Sequence, residues 1–451
     1  MAVIGGGVVG CAVLREFVLG GLTAVLLESS PDLLSGASKA NSALLHTGFD
    51  AVPGSLEARL VADGHARYRA IHQRLNLPLL ETGAIVVAWT EAEQNALPEI
   101  MAKALANGVA DARPLGPAEI RQREPFLAAD LLGGVLVPGE AVIDAWSAPL
   151  AYALQALANG GAIWRNARVC GGRREHGVWT LTTAAGPARA RVVVNCAGNQ
   201  GDIVEAIVRP SPFEIRPRKG QFVVLDKTAH DLARSILLPV PSEGTKGVVI
   251  ARTAYGNLLV GPTAEEQQDR EMATVEPALL QFLLDRGVRM IPALAREPVT
   301  ATYAGLRPAT QFKDYQIEAL PAERWISVAG IRSTGLTGAL GIAAHLAALH
   351  AEHFGPLSAI ADPLWTPVPN LAEARPRLWQ QPARDEIICQ CEMVTRAEIE
   401  AALQGPLPAG DLGGLKRRTR CMMGRCQGFY CTRRVMEIAA PRLPGLVEML
   451  A

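Results

Sequence analysis

Net charge is the first thing this chain lacks: 44 lysines and arginines face 44 aspartates and glutamates over 451 residues. That balance excludes bulk attraction to nucleic acid or to anionic lipid as the basis of function. Long apolar runs are missing too. The longest, around Leu336 to Leu349, follows Arg332 and is broken by Gly338 and Gly341, short of the ~20 residues that cross a bilayer. The first apolar run contains three glycines and leads into Arg15 and Glu16, which is not the shape of a secretory leader. No internal repeat is present. Cysteine is scarce until late: Cys11, Cys170 and Cys196 stand in apolar surroundings that predict buried, inert thiols. These absences point to a cytoplasmic protein of two or three domains, reaching the inner face of a membrane only through a partner.

What is present begins at the N-terminus. Ala2–Ile4 is a short apolar run that predicts a strand and ends in Gly5-Gly6-Gly7-Val8-Val9-Gly10. Residues 11–19 read as a helix stopped by Gly20-Gly21, and Leu22 to Leu27 as a second strand with Glu28 at its end. Gly5-x-Gly7-x-x-Gly10 between strand and helix is a dinucleotide-binding pattern. The first glycine permits the tight turn, the second lets backbone approach a pyrophosphate, and the third lets helix and strand pack closely. Phosphates would sit on N–H groups at the helix start, and Glu28 would accept from ribose hydroxyls.

Further along, helices are expected at 55–75, 91–106, 276–286 and 335–351, and strands at 82–89, 162–169, 178–183, 191–196 and 325–329. The alternation across 213–261 predicts an antiparallel sheet. Strands that return late to a parallel sheet imply a second domain inserted into the first. Residues 352–384 hold Pro356, Pro363, Pro367, Pro369, Pro376 and Pro382 with little periodicity, and read as a linker that wraps the main body. Thr395-Arg-Ala-Glu398 is a capping box opening a helix.

Five of the eight cysteines fall in the last 63 residues: Cys389-Gln-Cys391, then Cys421, Cys426 and Cys431. Such crowding in a reducing compartment favours metal over disulfides. Four thiolates hold a [2Fe–2S] cluster, and a structural zinc site is the rival. Cys421-x4-Cys426 and Cys426-x4-Cys431 share one spacing, so spacing alone leaves two closures open. Lys416, Arg417, Arg418, Arg420 and Arg425 either offset an anionic cluster or form a solvated basic face.

Two more segments distinguish the nucleotide. Val192-Val-Val-Asn195-Cys-Ala197-Gly198 is a strand ending in a glycine turn. Ser327-Val-Ala-Gly330-Ile-Arg332-Ser-Thr-Gly335-Leu336-Thr337-Gly338 is a strand, a turn and a helix start. Together with the first motif this arrangement resembles the FAD-dependent oxidoreductases of the D-amino-acid oxidase family. In that family the late turn lies against the pyrimidine edge of the flavin. Ser35-Gly-Ala-Ser38-Lys-Ala-Asn41-Ser-Ala-Leu-Leu-His46-Thr-Gly48 resembles the family's segment beside the isoalloxazine ring, and Arg218-Lys219-Gly-Gln-Phe222, Gly261-Pro-Thr263 and Gly305-Leu-Arg307-Pro308 match in order. The cysteine stretch resembles the bacterioferritin-associated ferredoxin-like [2Fe–2S] domain. With that module appended, the chain is similar to the catalytic subunits of anaerobic glycerol-3-phosphate dehydrogenases over roughly residues 1–350 and 385–435.

The resemblance implies an α/β fold: a Rossmann-like FAD-binding domain (about 1–80, 140–210 and 300–350), an inserted antiparallel substrate domain (about 81–139 and 211–299), and a small helical [2Fe–2S] module at 385–440. It implies FAD contacts from Gly5, Gly7, Gly10, Glu28, Ser38, Asn41, Ala197, Gly198, Gly330, Arg332, Gly335, Leu336 and Thr337. It also implies Cys389, Cys391, Cys426 and Cys431 as cluster ligands, with Cys421 spare.

A flavin accepts hydride from a C–H bond next to oxygen or nitrogen. Arg307 is the candidate for the substrate's anionic end, since a guanidinium pairs bidentately with carboxylate or phosphate. His46 is the candidate base, and Lys219 and Arg332 are weaker candidates for the same pocket. The expected substrate is a small anion, sn-glycerol 3-phosphate ahead of a 2-hydroxy acid such as 2-hydroxyglutarate and of an amino or imino acid. Electrons would leave through the cluster to other subunits or a quinone-linked carrier. An electron-transfer subunit with no chemistry of its own is the second reading, and an oxidase the third.

Overall fold

The computed structural model of the chain describes residues 1–241, 247–381, 385–443 and 446. Pro382 and part of the expected 213–261 sheet therefore lie outside the described residues. Ala2–Ile4 forms a strand between two parallel neighbours, Val25–Leu27 and Val193–Asn195. Ala162–Trp164 and Trp325–Ala329 extend this sheet in parallel on its two sides, and Gln316–Leu320 closes it antiparallel. Its strands are apolar on both faces because both are covered. Val3, Leu26, Val194 and Ile326 face a layer that includes the helices Val8–Leu19, Ser147–Ala158 and Gly335–His353. Ala2, Leu27, Val193 and Trp325 face a small antiparallel sheet of 169–175, 178–183 and 188–190.

The first helix begins at Val8, three residues before the expected start. Gly10 lies inside its first turn, because any Cβ there would overlap the carbonyl oxygen of Gly5. The second strand is shorter than expected. Leu22 and Thr23 stay outside it, and the Thr23 carbonyl accepts from the terminal ammonium at 2.7 Å. Cys11 and Cys196 are buried as expected, but Cys170 is exposed. It stands on an outward position of the small sheet, whose other face alone meets the core.

The second sheet draws its strands from 84–137 and 215–310. Ile215–Leu225 and Val299–Thr310 pair antiparallel along their whole length, from Ile215 opposite Thr310 to Leu225 opposite Val299. The helix Pro277–Met290 packs on this sheet through Leu283 and Met290. Val299–Thr310 runs on towards Gln316–Leu320, so one continuous stretch joins the two sheets. The fold is the α/β class expected, with a helical cysteine module, but the second sheet is mixed and not wholly antiparallel as expected: Ile236–Pro239 runs parallel to Ala84–Ala88 within it.

Two helices cross closely behind the parallel sheet. Leu56–Ile71 meets Gly335–His353 at Gly64 and Gly341, where an added Cβ would overlap the carbonyl oxygens of Thr337 and Leu60. The proline-rich stretch carries one short 3-10 turn, Leu378–Gln380, and is tied down by backbone bonds: Ser358 N–H to Gly20 O at 3.0 Å, Val368 N–H to Leu75 O at 3.1 Å, and Glu373 N–H to Ala254 O at 2.9 Å. The cysteine module has its own apolar core around Val394, Ile399, Leu415 and Val435. Among the described residues no helix is long and apolar enough to cross a membrane.

Candidate functional site

The glycine loop is shaped by close approaches. Gly5 has φ +106°, and a Cβ there would stand 2.5 Å from the Cys196 carbonyl oxygen, while at Gly7 it would meet Ser38 Oγ at 3.1 Å. The helix Val8–Leu19 has no side-chain cap from its own Gly7, and Ser38 Oγ accepts from Val8 N–H at 3.0 Å instead. The helix Gly335–His353 also lacks a side-chain cap, and its first residue, Gly335, lies about a Cβ contact (3.9 Å) from Val8. Two helix N-termini side by side, neither capped by its own N-cap side chain, fit a pyrophosphate, since both present N–H groups and the positive end of a dipole. Glu28, 8% exposed, accepts from Gly6 N–H at 2.6 Å, Ser30 N–H at 2.8 Å and Ser29 Oγ at 3.1 Å. A carboxylate has about four acceptor sites, so it retains capacity for a ribose hydroxyl. Gly198 follows the strand Val193–Asn195 at φ +56°, and Ala197 N–H donates to Asn195 Oδ1 at 3.2 Å.

The late turn is braced from the side. Gly330 (φ +69°) and Arg332 (φ +49°) are both left-handed. The Arg332 guanidinium does not turn into the body of the site but bonds Glu57, which also accepts from Thr334 Oγ1 at 2.7 Å. Leu336 and Thr337 are buried in the first turn of the following helix. Thr337 Oγ1 accepts from His46 N–H at 3.0 Å, so this helix fixes the backbone of the expected flavin-side segment. Within that segment Asn41 Oδ1 accepts from Ala43 N–H at 2.7 Å, which supports the left-handed Ala43 (φ +61°).

His46 is held by a carboxylate that the sequence reading missed. Its Nδ1 lies 2.8 Å from Glu140 Oε2, and Glu140 is fully buried. The other Glu140 oxygen accepts from Thr47 N–H at 2.5 Å and Thr47 Oγ1 at 2.8 Å. A carboxylate accepts, so Nδ1 carries the proton and the lone pair of a neutral ring falls on Nε2. The signal was there: Glu140 is a lone acid in a Pro-Gly turn between the apolar strands Gly133–Val137 and Ala141–Ile143.

Tyr303, Gly305 and Arg307 share one face of Val299–Thr310 by the two-residue repeat of a strand. That face meets the flavin-side segment. Tyr303 donates to Asn41 O at 2.7 Å, and a Cβ at Gly305 would stand 2.5 Å from Ala40 Cβ. Tyr303 stacks on Phe222 at 4.7 Å. Arg307 reaches across Gly220, where only the missing side chain leaves room, and donates to Thr263 O at 2.7 Å. Burial, then the neighbouring cation Arg218, pull its pKa down to about 10, with Glu265 opposing. Lys219 sits on the opposite face: its Nζ lies 2.5 Å from Glu276 and 3.9 Å from Glu265. The structure therefore brings Arg307, not Lys219, to the face that meets Ala40 and Asn41.

The cysteines meet in pairs. The Cys391 and Cys426 side chains are hydrogen-bonded to each other, as are those of Cys389 and Cys431. Cys421 is fully buried beside Cys389, and its thiol bonds Thr419. Two pairs of thiols fit two irons, each taking two cysteines. Among the described residues no group of three or more potential ligands surrounds a single point. Gly424 lets Cys391 approach, since a Cβ there would overlap the Cys391 side chain. Gln427 (φ +48°) and Gly428 (φ +92°) curl the loop. Burial pushes the Cys426 thiol up, but the N–H groups of Tyr430, Gly428 and Phe429 and the Cys391 side chain outweigh it and leave the thiol below its ordinary pKa. Inward N–H groups of this kind suit an anionic cluster.

Arg417, Arg418, Arg420 and Arg425 each bond a specific partner. Arg418 makes a two-pronged bond to the fully buried Asp32 at 2.6 and 2.9 Å, and Arg417 donates to Leu33 O at 3.0 Å. Arg425 bonds Asp226. Arg420 bonds the buried Glu392 at 2.9 Å and lies 3.8 Å over the Tyr255 ring. They dock the module onto the body, a role the sequence pattern did not distinguish.

Comparison with known proteins completes the picture. Residues 1–349 match the FAD dependent oxidoreductase family, and residues 387–440 match the BFD-like [2Fe-2S] binding domain. The chain is 32% identical to a glycerol 3-phosphate dehydrogenase of Caloramator mitchellensis over 98% of its own length and 94% of the relative's. It is 28% identical to a glycerol 3-phosphate oxidase of Mycoplasma pneumoniae, over 75% of this chain and 91% of that one. The crystal structure of L-alpha-glycerophosphate oxidase from Mycoplasma pneumoniae with FAD bound superposes with a TM-score of 0.73 at 26% identity, covering 81% of this chain and 96% of that one. The cofactors are FAD and a [2Fe–2S] cluster. With a nucleotide loop, a carboxylate-held histidine and two pairs of thiols in one body, this chain belongs to the FAD dependent oxidoreductases and carries a BFD-like [2Fe-2S] binding domain.

Proposed function

We propose that the chain oxidises the secondary alcohol of sn-glycerol 3-phosphate and sends the electrons through the [2Fe–2S] cluster to an external carrier. The observation that carries this reading is a carboxylate-held imidazole, His46 with Glu140, on the flavin-side segment, together with a buried guanidinium, Arg307, on the strand face that meets this segment through Tyr303 and Gly305. Relatives named for glycerol 3-phosphate support the substrate. When bound, FAD supplies the hydride acceptor. Arg307 binds the phosphate: it donates to the Thr263 carbonyl, and Arg218 beside it adds positive charge, so an incoming anion relieves a buried cation. His46 Nε2 takes the hydroxyl proton, and Glu140 fixes the ring and stabilises the imidazolium that forms. Gly5, Gly7, Gly10, Glu28, Ser38, Ala197, Gly198, Gly330, Gly335, Leu336 and Thr337 hold the dinucleotide, and Asn41 shapes the segment beside the ring system. Cys389, Cys391, Cys426 and Cys431 hold the cluster. Lys219 has a structural part, pinning the helix Pro277–Met290 through Glu276.

Variants separate the two polar roles. His46→Asn should lower kcat by about 10²–10⁴-fold, the range for general base catalysis, with KM little changed. Arg307→Ala should raise KM for the phosphate substrate by roughly ten- to a hundredfold, the equivalent of about 1.5–3 kcal/mol for a charged hydrogen bond. Equal and small effects in steady-state kinetics would remove both roles.

A further inference from the structure

Two of the contacts between the body and the cysteine module differ in what they touch. One is the Asp32–Arg418 pair, which anchors the helix Leu412–Thr419 beside Leu33, close to the Glu28 end of the nucleotide loop. The other is a stack. Trp146 Nε1 donates to the carbonyl of Lys39, in the segment that also carries Asn41 and His46, at 3.0 Å. The Trp146 ring lies parallel to Tyr255, with centroids 5.5 Å apart and 17° between planes. The guanidinium of Arg420 lies over the Tyr255 ring, 3.8 Å from its centroid. Arg420 is bonded to Cys421 in the chain and hydrogen-bonded to Glu392, the neighbour of Cys391. Tyr255 is 7% exposed and Arg420 4%. Fully buried Asp144 locks the stack, accepting from Tyr255 OH at 2.6 Å and Trp146 N–H at 2.9 Å. Along the chain, by contrast, more than fifty residues separate Gly330 from Cys389.

We propose that the Trp146–Tyr255–Arg420 stack is the electronic contact between the flavin-side segment and the cluster module. The inference rests on the flavin and cluster placements proposed above. Each substrate C–H bond gives up two electrons with its hydrogen, and the hydroxyl proton leaves on His46. A [2Fe–2S] centre carries one electron at a time, so two electrons cross the stack in succession for each substrate oxidised. Each ends on a one-electron acceptor outside the chain. Stacked aromatic rings are well suited to this task, whereas the Asp32–Arg418 contact is an ion pair that holds the module in place and contains no aromatic ring.

The test uses the holoprotein with both centres filled. Tyr255→Leu removes the ring, Tyr255→Phe keeps it and loses only the bond to Asp144. Anaerobic mixing with sn-glycerol 3-phosphate follows flavin bleaching and cluster reduction separately, by visible absorption and by freeze-quench electron paramagnetic resonance. An equilibrium redox titration of each variant reads the potentials of both centres independently of turnover. The expected result is flavin bleaching at the wild-type rate in Tyr255→Leu, unchanged potentials, and cluster reduction slower by an order of magnitude or more, restored by Tyr255→Phe. Cluster reduction at the wild-type rate in Tyr255→Leu would overturn the proposal, and so would slow reduction in both variants, which assigns Tyr255 a packing role. Absence of bleaching in the wild-type chain counts instead against the substrate reading.

Discussion

Glu140 orients His46, the proposed base, through a bond to its Nδ1. Replacing it by glutamine keeps the shape but puts a donor where only donors face it: His46 Nδ1–H, Thr47 N–H and the Thr47 hydroxyl. A buried mismatch of this kind costs about 1–3 kcal/mol. The expected outcome for Glu140→Gln is a lower kcat with nearly unchanged KM and a retained flavin spectrum, and a change confined to KM would deny the positioning role. The thiols offer a second test at this scale. Cys426→Ala should lose iron, since Cys426 is paired with Cys391 and receives the loop's N–H groups. Cys421→Ala should keep it, since Cys421 is bonded to Thr419 and pairs with no thiol. Iron content per chain and the cluster's absorption read both. Loss of iron in Cys421→Ala and retention in Cys431→Ala would invert the assignment.

At the scale of elements, the parts written in local pattern were the legible ones. The strand–glycine–helix opening, the capping box at Thr395 and the late strand Trp325–Ala329 each follow from a run of a few residues. What escaped depends on partners far away in sequence. Gly64 goes unnoticed in the sequence and Gly341 reads only as a break in an apolar run, yet they let two helices touch backbone to backbone. Lys219 and Arg307 read as one pocket, but a strand's two-residue alternation places them on opposite faces. Arg418 read as part of a basic run, and its purpose is visible only with Asp32, which precedes it by 386 positions. This docking pair is testable. Asp32→Ala strands Arg418, itself nearly buried, and breaking a buried pair costs about 3–5 kcal/mol. Hydrogen exchange should accelerate across Leu412–Thr419 while the helix Val8–Leu19 keeps its protection; no change there would assign docking to other contacts.

For the molecule as a whole, a mixed sheet carries Arg307, the proposed anion ligand, and a parallel sheet supplies the nucleotide loop, and the strand Val299–Thr310 belongs to the first while leading into the second. The proline-rich stretch then carries the chain around the body to deliver the cysteine module against Asp32 and Tyr255. In the proposed reading, this places the electron exit beside the entry point. The most direct measurement is an anaerobic titration of the purified holoprotein with sn-glycerol 3-phosphate, followed at the flavin's visible band. The expected result is stoichiometric bleaching with subsequent reduction of the cluster. A flavin that stays oxidised with sn-glycerol 3-phosphate but bleaches with 2-hydroxyglutarate or proline would contradict the proposed substrate, and one that bleaches with none of the three would contradict catalysis in this chain.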